Sequence, residues 1–425
     1  MPLPRAFTAN VREALSTFPV VVLTGARQTG KSTLIRHLLG PPGRRYYSLD
    51  DLDVLERAQT APDALLHGKQ PVTLDEIQRS PDLLLAIKRA VDDRRRPGRF
   101  LLSGSANLLL MRRVSESLAG RAVYLELHPF TLGERQGGGA AGAWTALLED
   151  PSRLEGEHQP LPHLDDILLT GGFPPAVLAP TIVARQQWFD GYVRTYLERD
   201  LQSLSNIQNL IEFRRLMRVA ALRSGALVNQ SDMARDAGIP QPSAHRYLDL
   251  LEASYLVRRL PAYCVNRTKR VIKSPRLFFC DSGLAASLAA VRTGAELARM
   301  NLRGALLENL VLSELLAWRE QLLPRPEILY WRTSSGEEVD FVVETAGRLL
   351  PIEVKSGPSI RRADLGSLRS FLAEYRAEAP HGIVLHTGRR AEQLEDRIWS
   401  VPISAALNAP AAPRQARAAA RRGAG

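Results

Sequence analysis

The sequence has few cysteines and no long apolar run. Cys264 and Cys280 are its two thiols, too few for a disulfide framework and without the spacing of a metal site, which favours a reducing compartment. No stretch reaches the roughly 18 consecutive apolar residues of a membrane helix. Residues 1–10 have no apolar core of the kind found in signal peptides. These absences predict a cytoplasmic protein without a membrane segment.

Acidic residues are also outnumbered, since 45 Asp and Glu stand against 56 Lys and Arg and leave a formal net charge of +11. A basic balance favours a polyanionic partner such as nucleic acid. Part of this charge lies in residues 406–425, an Ala-, Pro- and Gly-rich tail that predicts disorder. At about 150 residues per domain, the chain of 425 residues has room for two or three domains.

The first strong motif is a loop of the phosphate-binding type. Residues 19–24 (PVVVLT) predict a buried parallel strand, residues 25–32 (GARQTGKS) match G-x-x-x-x-G-K-[ST], and residues 33–39 have helical spacing. Backbone amides of such a loop point at phosphate oxygens. Lys31 would contact the β- and γ-phosphates of ATP, and Ser32 would help to hold Mg²⁺. The predicted nucleotide-binding residues are Gly25, Arg27, Gln28, Thr29, Gly30, Lys31, Ser32, Thr33, Ser103 and Ser105.

A second motif follows about fifty residues later. Residues 71–76 (PVTLDE) form an apolar strand that ends in two carboxylates, the Walker B pattern. Asp75 would hold Mg²⁺ through water, and Glu76 would polarise the attacking water. Together the two motifs predict ATP hydrolysis.

Three further segments complete a predicted five-stranded α/β sheet. Residues 44–50 and 122–127 are two of its strands, and residues 99–105 (RFLLSGS) are a buried one with a polar carboxyl end. Ligands bind at the carboxyl ends of strands in an open parallel sheet. Ser103 or Ser105 could therefore sense the γ-phosphate.

These motifs make the sequence similar to the widespread bacterial and archaeal ATPases in which an AAA-type domain precedes a C-terminal region of unknown function. The resemblance covers nearly the whole chain except the tail, and it implies ATP binding, hydrolysis and a connection to DNA. The segments that carry it are GARQTGKST, LDEIQRSP, LLSGSANLLL, ESLAGRAVYLELHPF and GGFPPAV in the first half, and YVRTYLERD, FFCDSGL, LLENLVLSEL and EVDFVVE…PIEVKSG in the second.

Arg121 lies between a helix predicted over residues 115–121 and the strand at 122–127. In AAA-type ATPases an arginine finger lies at this place and reaches the nucleotide of a neighbouring subunit. The resemblance therefore implies a catalytic role for Arg121 in trans and a homo-oligomer. The alternative is an arginine that binds carbonyls at the end of its own helix.

The middle of the chain predicts a winged helix-turn-helix. Residues 229–253 form two helices with a turn at Gly238, and residues 255–260 and 276–280 form the wing hairpin. The second helix would present to DNA the side chains of Gln241, Ser243, His245 and Arg246. The tip of the wing would carry Arg267, Lys269, Arg270 and Lys273. The alternatives are a plain interdomain module or a surface for a protein partner.

The last part resembles the core of the PD-(D/E)xK nuclease-like fold. Its predicted elements are a helix at 301–319, strands at 328–332, 338–344 and 349–355, a helix at 363–377 and a strand at 382–386. Asp340, Glu353 and the carbonyl of Val354 could bind Mg²⁺, with Glu308 tuning the site. Lys355 would orient the attacking water. The alternative is a salt-bridged strand pair on a scaffold that no longer cuts.

The predicted architecture is therefore α/β with several domains. The predicted boundaries are an AAA-type P-loop domain with a parallel sheet at 1–135, a helical lid or linker at 136–215, a winged helix-turn-helix at 216–283, a nuclease-like domain at 284–405 and a basic tail at 406–425. The predicted catalytic residues are Lys31, Glu76, Arg121, Glu353 and Lys355, and the predicted metal ligands are Ser32, Asp75, Glu308, Asp340 and Glu353. The predicted function is a Mg²⁺-dependent ATPase that couples nucleotide state to DNA engagement or cleavage. The alternative is a nucleotide-gated DNA- or protein-binding regulator with an inactive nuclease fold.

Overall fold

The computed structural model describes residues 2–38, 43–104, 118–138, 142–195 and 209–407. Ser105, the first three residues of the helix predicted at 115–121 and all but the first two residues of the predicted tail lie outside these ranges. Within them, no helix has both the length and the apolar character that crossing a bilayer requires.

The first sheet has five parallel strands in the order β2-β3-β4-β1-β5. All five predicted strands are present within two residues of their expected ends. The strands are β1 (Val20–Thr24), β2 (Arg45–Ser48), β3 (Val72–Asp75), β4 (Phe100–Ser103) and β5 (Ala122–Glu126). The helices around them are α1 (Thr8–Thr17), α2 (Lys31–Thr33), α3 (Leu52–Thr60), α4 (Pro62–Leu66) and α5 (Leu83–Asp93), with α2 continuing as a π-helical turn (Leu34–Leu38).

Both faces of this sheet are buried, which explains the uninterrupted apolar run of β1. Successive side chains of a strand point to opposite faces. Val20 and Val22 accordingly pack in one cluster, and Val21 and Leu23 in another on the other side. Because all five strands run the same way, their carboxyl ends meet at one edge of the sheet, where the loop after β1 lies.

A helical region connects this sheet to the rest of the chain. Its helices are α6 (Leu132–Arg135), α7 (Trp144–Glu149), α8 (Leu164–Thr170), α9 (Pro174–Val177), α10 (Ile182–Tyr192), α11 (Leu210–Leu222), α12 (Gln230–Ala237) and α13 (Gln241–Ala253). Asn229 caps α12 by accepting a hydrogen bond from the amide of Asp232 at 3.2 Å, and Gly238 ends the helix in the left-handed conformation. The two helices predicted for a helix-turn-helix are therefore present, and their assignment to a DNA-binding class stays a prediction.

The hairpin after these helices differs from the expected wing. Strands β7 (Val257–Leu260) and β8 (Arg276–Phe279) pair antiparallel as predicted, but helix α14 (Arg267–Ile272) lies between them. Arg270 was expected at an open basic tip. It is instead buried, where it forms ion pairs with Glu327 and Glu344 at 3.0 and 2.5 Å. The prediction for Arg270 is wrong because the segment packs on the next domain.

The second sheet is mixed and has seven strands in the order β6-β13-β14-β12-β11-β10-β9. They are β6 (Gly156–Glu157), β9 (Glu327–Arg332), β10 (Glu338–Thr345), β11 (Arg348–Val354), β12 (Gly382–His386), β13 (Arg390–Glu395) and β14 (Ile398–Pro402). The accompanying helices are α15 (Ser282–Leu288), α16 (Gly294–Arg299), α17 (Arg303–Arg319), α18 (Gly366–Glu374) and α19 (Ile403–Leu407). The two helices and four strands predicted in this region are present, and their assignment to a nuclease-like fold stays a prediction. Strands β6, β13 and β14 were not predicted.

Two of the segments that carry the family resemblance interlock. The Asp281 carboxylate caps α15 by accepting from the amide of Leu284 at 2.8 Å, and it also accepts from the amide of Gly172. Gly171 has a φ of +65° and lies so close that a methyl group there would overlap this carboxylate. Position 171, where the GGFPP segment crosses the CDSGL segment, therefore requires glycine.

We expect Gly171→Ala to destabilise the fold by roughly 2–4 kcal/mol, because it combines a strained backbone with an overlap on a buried carboxylate. The matched control is Gly304→Ala in α17, where nothing lies within 4 Å of the added atom and alanine favours the helix. Thermal unfolding followed by circular dichroism measures both. Equal melting of Gly171→Ala and wild type would contradict the interlock.

Candidate functional site

The loop after β1 adopts the compact conformation that its glycines permit. Gly25 has a φ of +133°, and a side chain there would overlap the carbonyl of Leu127. Gly30 has a φ of +95° and directly precedes α2. The loop amides are therefore placed next to a helix N-terminus, the arrangement that binds phosphate groups.

The side chain of Lys31 binds the main chain of this loop. Its Nζ donates to the carbonyls of Gly25 at 2.9 Å and Ala26 at 2.8 Å, and the side chain is buried. Burial lowers the pKa of Lys31 to about 8, although the carboxylates of Glu76 and Asp75 oppose the shift. The ammonium group is thus held where an incoming phosphate could replace two carbonyl partners.

Asp75 ends β3 at the same edge and is buried. Its Oδ2 accepts a hydrogen bond from the hydroxyl of Tyr46 at 2.7 Å, and its Oδ1 accepts one from Ser103. Carboxylate and hydroxyl oxygens are the ligands that Mg²⁺ prefers, so the donor set of Asp75 and Ser32 fits that ion. Ser103 lies on the predicted edge and contacts the Walker B carboxylate. Tyr46 was not predicted, because nothing in its own segment identifies its partner.

Glu76 follows Asp75 with a φ of +58°, a conformation that is uncommon for a residue with a side chain. This backbone turns the carboxylate out of the strand direction, and the side-chain amide of Gln78 donates to it. Gln78 thus holds the carboxylate predicted to polarise water.

The predicted loop residues are supported from outside the first sheet. Thr29 is buried, and its hydroxyl donates to the carbonyl of Ala26 at 2.9 Å. The carbonyl of Arg27 accepts from the hydroxyl of Tyr192 in α10 at 3.2 Å, while Gln28 is exposed. Thr33 lies in α2, with its side chain also exposed.

Arg5 is a further loop contact that the sequence did not indicate. Its Nη1 donates to the carbonyl of Thr29 at 3.0 Å and its Nη2 to that of His128 at 2.5 Å. Its Nε lies 3.2 Å from Glu134 Oε1, and the whole side chain is buried. Burial lowers the pKa of Arg5, and the charge of Glu134 counteracts this. The N-terminal segment is therefore tied to the phosphate loop.

Arg121 lies at the opposite edge of the sheet, directly before β5. Its Nε and Nη2 bind the Asp92 carboxylate at 2.6 and 2.8 Å, and its Nη1 donates to the carbonyl of Ala119 at 2.9 Å. At this end of β5 it is remote from the phosphate loop of its own chain. Action on a neighbouring subunit therefore stays a prediction.

The acidic residues predicted in the last domain surround a cation from another part of the chain. Arg276 of β8 is buried, and its Nη2 binds Glu308 while its Nη1 lies 3.3 Å from Glu338 Oε1 and from Asp340 Oδ1. Its Nε donates to the carbonyl of Gly225 at 2.5 Å. The guanidinium group thus lies among three carboxylates. The sequence does not identify this contact, because Arg276 lies in a strand predicted as part of the wing.

Glu353 and Lys355 lie beside this cluster and pair at 2.7 Å. Asp340 Oδ2 accepts from the amide of Val354 at 2.8 Å, and Glu353 Oε2 is buried with no hydrogen-bond partner in the described part of the chain. Burial, and then the charge of Asp340, raises the pKa of Glu353 and of Glu308 to about 8.

The predicted set of Glu308, Asp340 and Glu353 as joint metal ligands is not found. Across the ranges that the structure describes, no three carboxylate, imidazole or thiol side chains are grouped as metal ligands. The physical reason is that the carboxylate of Glu308 is directed to Arg276. A site made of Asp340 and Glu353 alone stays a prediction.

The residues predicted to face DNA lie on α13. Gln241, His245 and Arg246 are exposed, and Ser243 is half-buried. Gln241 also lines an open cleft of about 1110 Å³, whose wall continues to Lys273 and on to the last domain. The geometry leaves these side chains available to a partner.

Family models match the chain in three places. An AAA domain matches residues 17–136, a domain of unknown function (DUF8612) matches residues 161–295, and another domain of unknown function (DUF4143) matches residues 303–406. The AAA match contains the phosphate loop, and the DUF8612 match contains the two helices around Gly238 together with Arg276. The DUF4143 match contains the carboxylates of the acidic cluster.

Two proteins resemble the chain over nearly its whole length. The uncharacterized proteins Rv2008c of Mycobacterium tuberculosis and Mb2031c of Mycobacterium bovis are each 34% identical to it over 403 residues, which is 94% of this chain and 83% of theirs. Among solved structures, the Walker-type ATPase PABY2304 of Pyrococcus abyssi aligns with a TM-score of 0.40 and 17% identity, over 68% of this chain and 98% of that one.

The lowered pKa of Lys31 predicts that ATP affinity falls as the pH rises. A phosphate binds the protonated amine, and above the pKa of about 8 a growing fraction of the free protein has lost that proton. We expect the dissociation constant of Mg²⁺–ATP to rise roughly tenfold between about pH 7 and about pH 9. Calorimetric titration measures it. Lys69→Gln removes an exposed lysine at the opposite edge and should keep the wild-type profile, whereas equal wild-type affinities at both pH values would contradict the prediction.

Proposed function

The chain belongs to the family of these mycobacterial proteins and carries an AAA domain, and from that premise we propose that it is a Mg²⁺-dependent ATPase whose nucleotide state controls how its C-terminal half engages DNA. The observation that carries the proposal is the meeting of Lys31, Asp75 and Glu76 at one edge of the first sheet. These are the groups that phosphoryl transfer from ATP to water requires.

Each residue has a distinct part in the proposed reaction. The loop amides and Lys31 bind the phosphates, and Lys31 exchanges the carbonyls of Gly25 and Ala26 for phosphate oxygens. Ser32 and Asp75 would hold Mg²⁺, which neutralises charge on the phosphates when bound. Glu76 orients and polarises the attacking water.

Contacts between the two halves support coupling. At the carboxyl end of β5, Glu126 forms an ion pair with Arg258 of the hairpin strand β7. The amide of Leu132 in α6 donates to Glu314 of α17 at 2.6 Å. Movement of the phosphate-binding edge on nucleotide exchange would therefore reach the hairpin and the last domain.

DNA is the partner that the exposed polar residues of α13 and the net charge of +11 favour. Arg121, at the far edge of the first sheet, would complete the site of a neighbouring copy. We therefore propose a homo-oligomer, in which ion pairing with Asp92 holds Arg121 until a neighbour binds.

We expect Glu76→Gln to lower the turnover number for ATP at least a hundredfold while ATP still binds, because an amide cannot polarise the attacking water as a carboxylate does. Phosphate release measures turnover, and calorimetry measures binding. Glu56→Gln is the matched control, since Glu56 is an exposed glutamate of α3 in the same domain. Unchanged turnover in Glu76→Gln would show that the assigned role is wrong.

A second candidate function is a nucleotide-gated DNA-binding regulator whose nuclease-like domain does not cut. The observation that favours it is the guanidinium of Arg276 among Glu308, Glu338 and Asp340. An internal cation that neutralises these carboxylates competes with any metal ion for Asp340.

If this candidate is right, supercoiled plasmid stays uncut with Mg²⁺ or Mn²⁺, both with and without ATP, and the wild type behaves like Glu353→Ala/Lys355→Ala. Gel electrophoresis of the plasmid shows this directly, and intact ATP hydrolysis shows that the protein is active. ATP-dependent cutting that the double substitution abolishes would instead make the protein a nucleotide-controlled nuclease.

A further inference from the structure

A group of basic side chains lies on the edge of the first sheet that faces away from the phosphate loop. We call it the basic edge, and its members are Arg44, Lys69, Arg94, Arg95, Arg96 and Arg99. None of these six side chains takes part in the proposed ATP reaction. Four of its members, Lys69, Arg94, Arg95 and Arg96, are exposed.

The strand order brings these residues together although they are distant in sequence. In the parallel sheet, Arg45 pairs with Val72, and Val72 pairs with Phe100. The residues just before β2, β3 and β4 therefore stand side by side. Arg44 precedes the first of these strands, Lys69 the second and Arg99 the third.

Four of the five arginines are held by main-chain carbonyls. Arg44 donates to the carbonyl of Val72 at 3.0 Å and to the carbonyl of Gly98, and Arg96 donates to the carbonyl of Lys69 at 2.9 Å. Further bonds of this kind join Arg99 to the carbonyl of Arg94 at 3.0 Å and Arg95 to that of Gly120 at 3.2 Å. Such bonds fix the guanidinium groups in place without neutralising their charge.

No carboxylate of the described ranges pairs directly with these charges, although Asp92 and Asp93 lie nearby. In the part of the chain that the structure describes, none of the six side chains has an ion-pair partner within 4 Å, and the nearby Asp92 is bound by Arg121. The pKa of Arg99 is lowered, first by burial and then by the charges of Arg94 and Arg96, although Asp93 opposes them. The edge is therefore a surface on which several positive charges lie close together.

A small cleft in this edge has the composition of a phosphate site. Lys69, Arg94, Arg96 and Arg99 line it together with Gly68 and Pro71, and no carboxylate takes part. Guanidinium groups bind phosphate oxygens in pairs, which makes arginine the preferred residue for this task.

We propose that the basic edge binds the sugar–phosphate backbone of nucleic acid. Arginines that are pre-ordered by carbonyls lose little freedom on binding a phosphate, and several of them in a row match a repeating polyanion better than a single anion. Phe18 lies at the same edge with 39% of its surface exposed, and its carbonyl accepts from Gly98 at 2.9 Å. An exposed ring beside cations is a stacking platform for an unpaired base.

This surface is separate from α13 and from the acidic cluster, which lie in other parts of the chain. Nucleic acid on the basic edge would contact the ATPase domain itself, at the edge of the sheet away from the nucleotide. The inference therefore does not depend on DNA binding by the C-terminal half, and each can fail while the other holds.

The test is a triple substitution of the exposed members that line the cleft, Lys69→Gln/Arg94→Gln/Arg96→Gln, in the full chain. Fluorescence anisotropy follows the binding of a short labelled single-stranded DNA and of the matching duplex between about 50 and about 200 mM salt. We expect at least a tenfold loss of affinity for one or both probes. The slope of log affinity against log salt should fall by up to about three, one for each lost contact. ATP turnover should equal that of the wild type.

The matched control removes the same charge elsewhere, by Arg57→Gln/Arg218→Gln/Arg348→Gln, all exposed residues. We expect it to change affinity no more than about twofold, an effect of net charge alone. Equal losses in both triple variants, or no loss in the first, would overturn the proposal. Unchanged DNA binding together with lost self-association or lost binding to phosphatidylserine vesicles would overturn it too, by assigning the edge to a second copy or to a membrane surface.

Discussion

The buried guanidinium of Arg5 is the contact on which the shape of the phosphate loop depends. Removing a charge from water costs several kcal/mol unless partners compensate for it, and here they come from three places: Glu134, the carbonyl of Thr29 and the carbonyl of His128. Glu134 also accepts from the backbone amides of Ala6 and Thr131. The N-terminal segment, the loop and α6 are therefore one unit, and nucleotide binding cannot move the loop alone. Since the amide next to Thr131 bonds to Glu314 in α17, the unit extends to the last domain.

The parallel direction of the five strands divides the chemistry of the first sheet between its two edges. At the carboxyl edge, the negative charges of Asp75 and Glu76 are balanced by the ammonium group of Lys31. Burial of this group lowers its pKa. At the amino edge, Arg44 and Arg99 are bonded to carbonyls and keep their charge. A sheet whose three central strands are fully buried transmits little flexibility between these edges. Ligands at the two edges would therefore affect one another through rigid movement of the domain.

The part of the structure that the sequence could predict is the part whose residues are close together in the chain. The loop with Lys31, the strand ending in Asp75 and all five strands of the first sheet follow from local patterns. Strand β6 was missed because two residues form a strand only through their partner, and β13 (RAEQLE) because it lacks an apolar face. The contacts of Tyr46 with Asp75 and of Arg5 with Thr29 join distant segments, and no local pattern encodes such a pairing.

Arg276 shows most clearly why intact signature residues do not establish a metal site. The acidic residues are present as predicted, but their negative charge is balanced by Arg276, a side chain of the hairpin strand β8. Removal of that guanidinium would leave Glu308, Glu338 and Asp340 buried or half-buried and mutually repelling, which costs more than an exposed pair would. A divalent cation could replace it only by carrying equal or greater charge to the same carboxylates, and the hairpin would then lose its anchor on the last domain. A metal ion at Asp340 would thus compete with the docking of the hairpin. Because Glu126 and Arg258 link the hairpin to the ATPase sheet, a displacement of the hairpin would change how far Arg276 shields Asp340 from a metal ion.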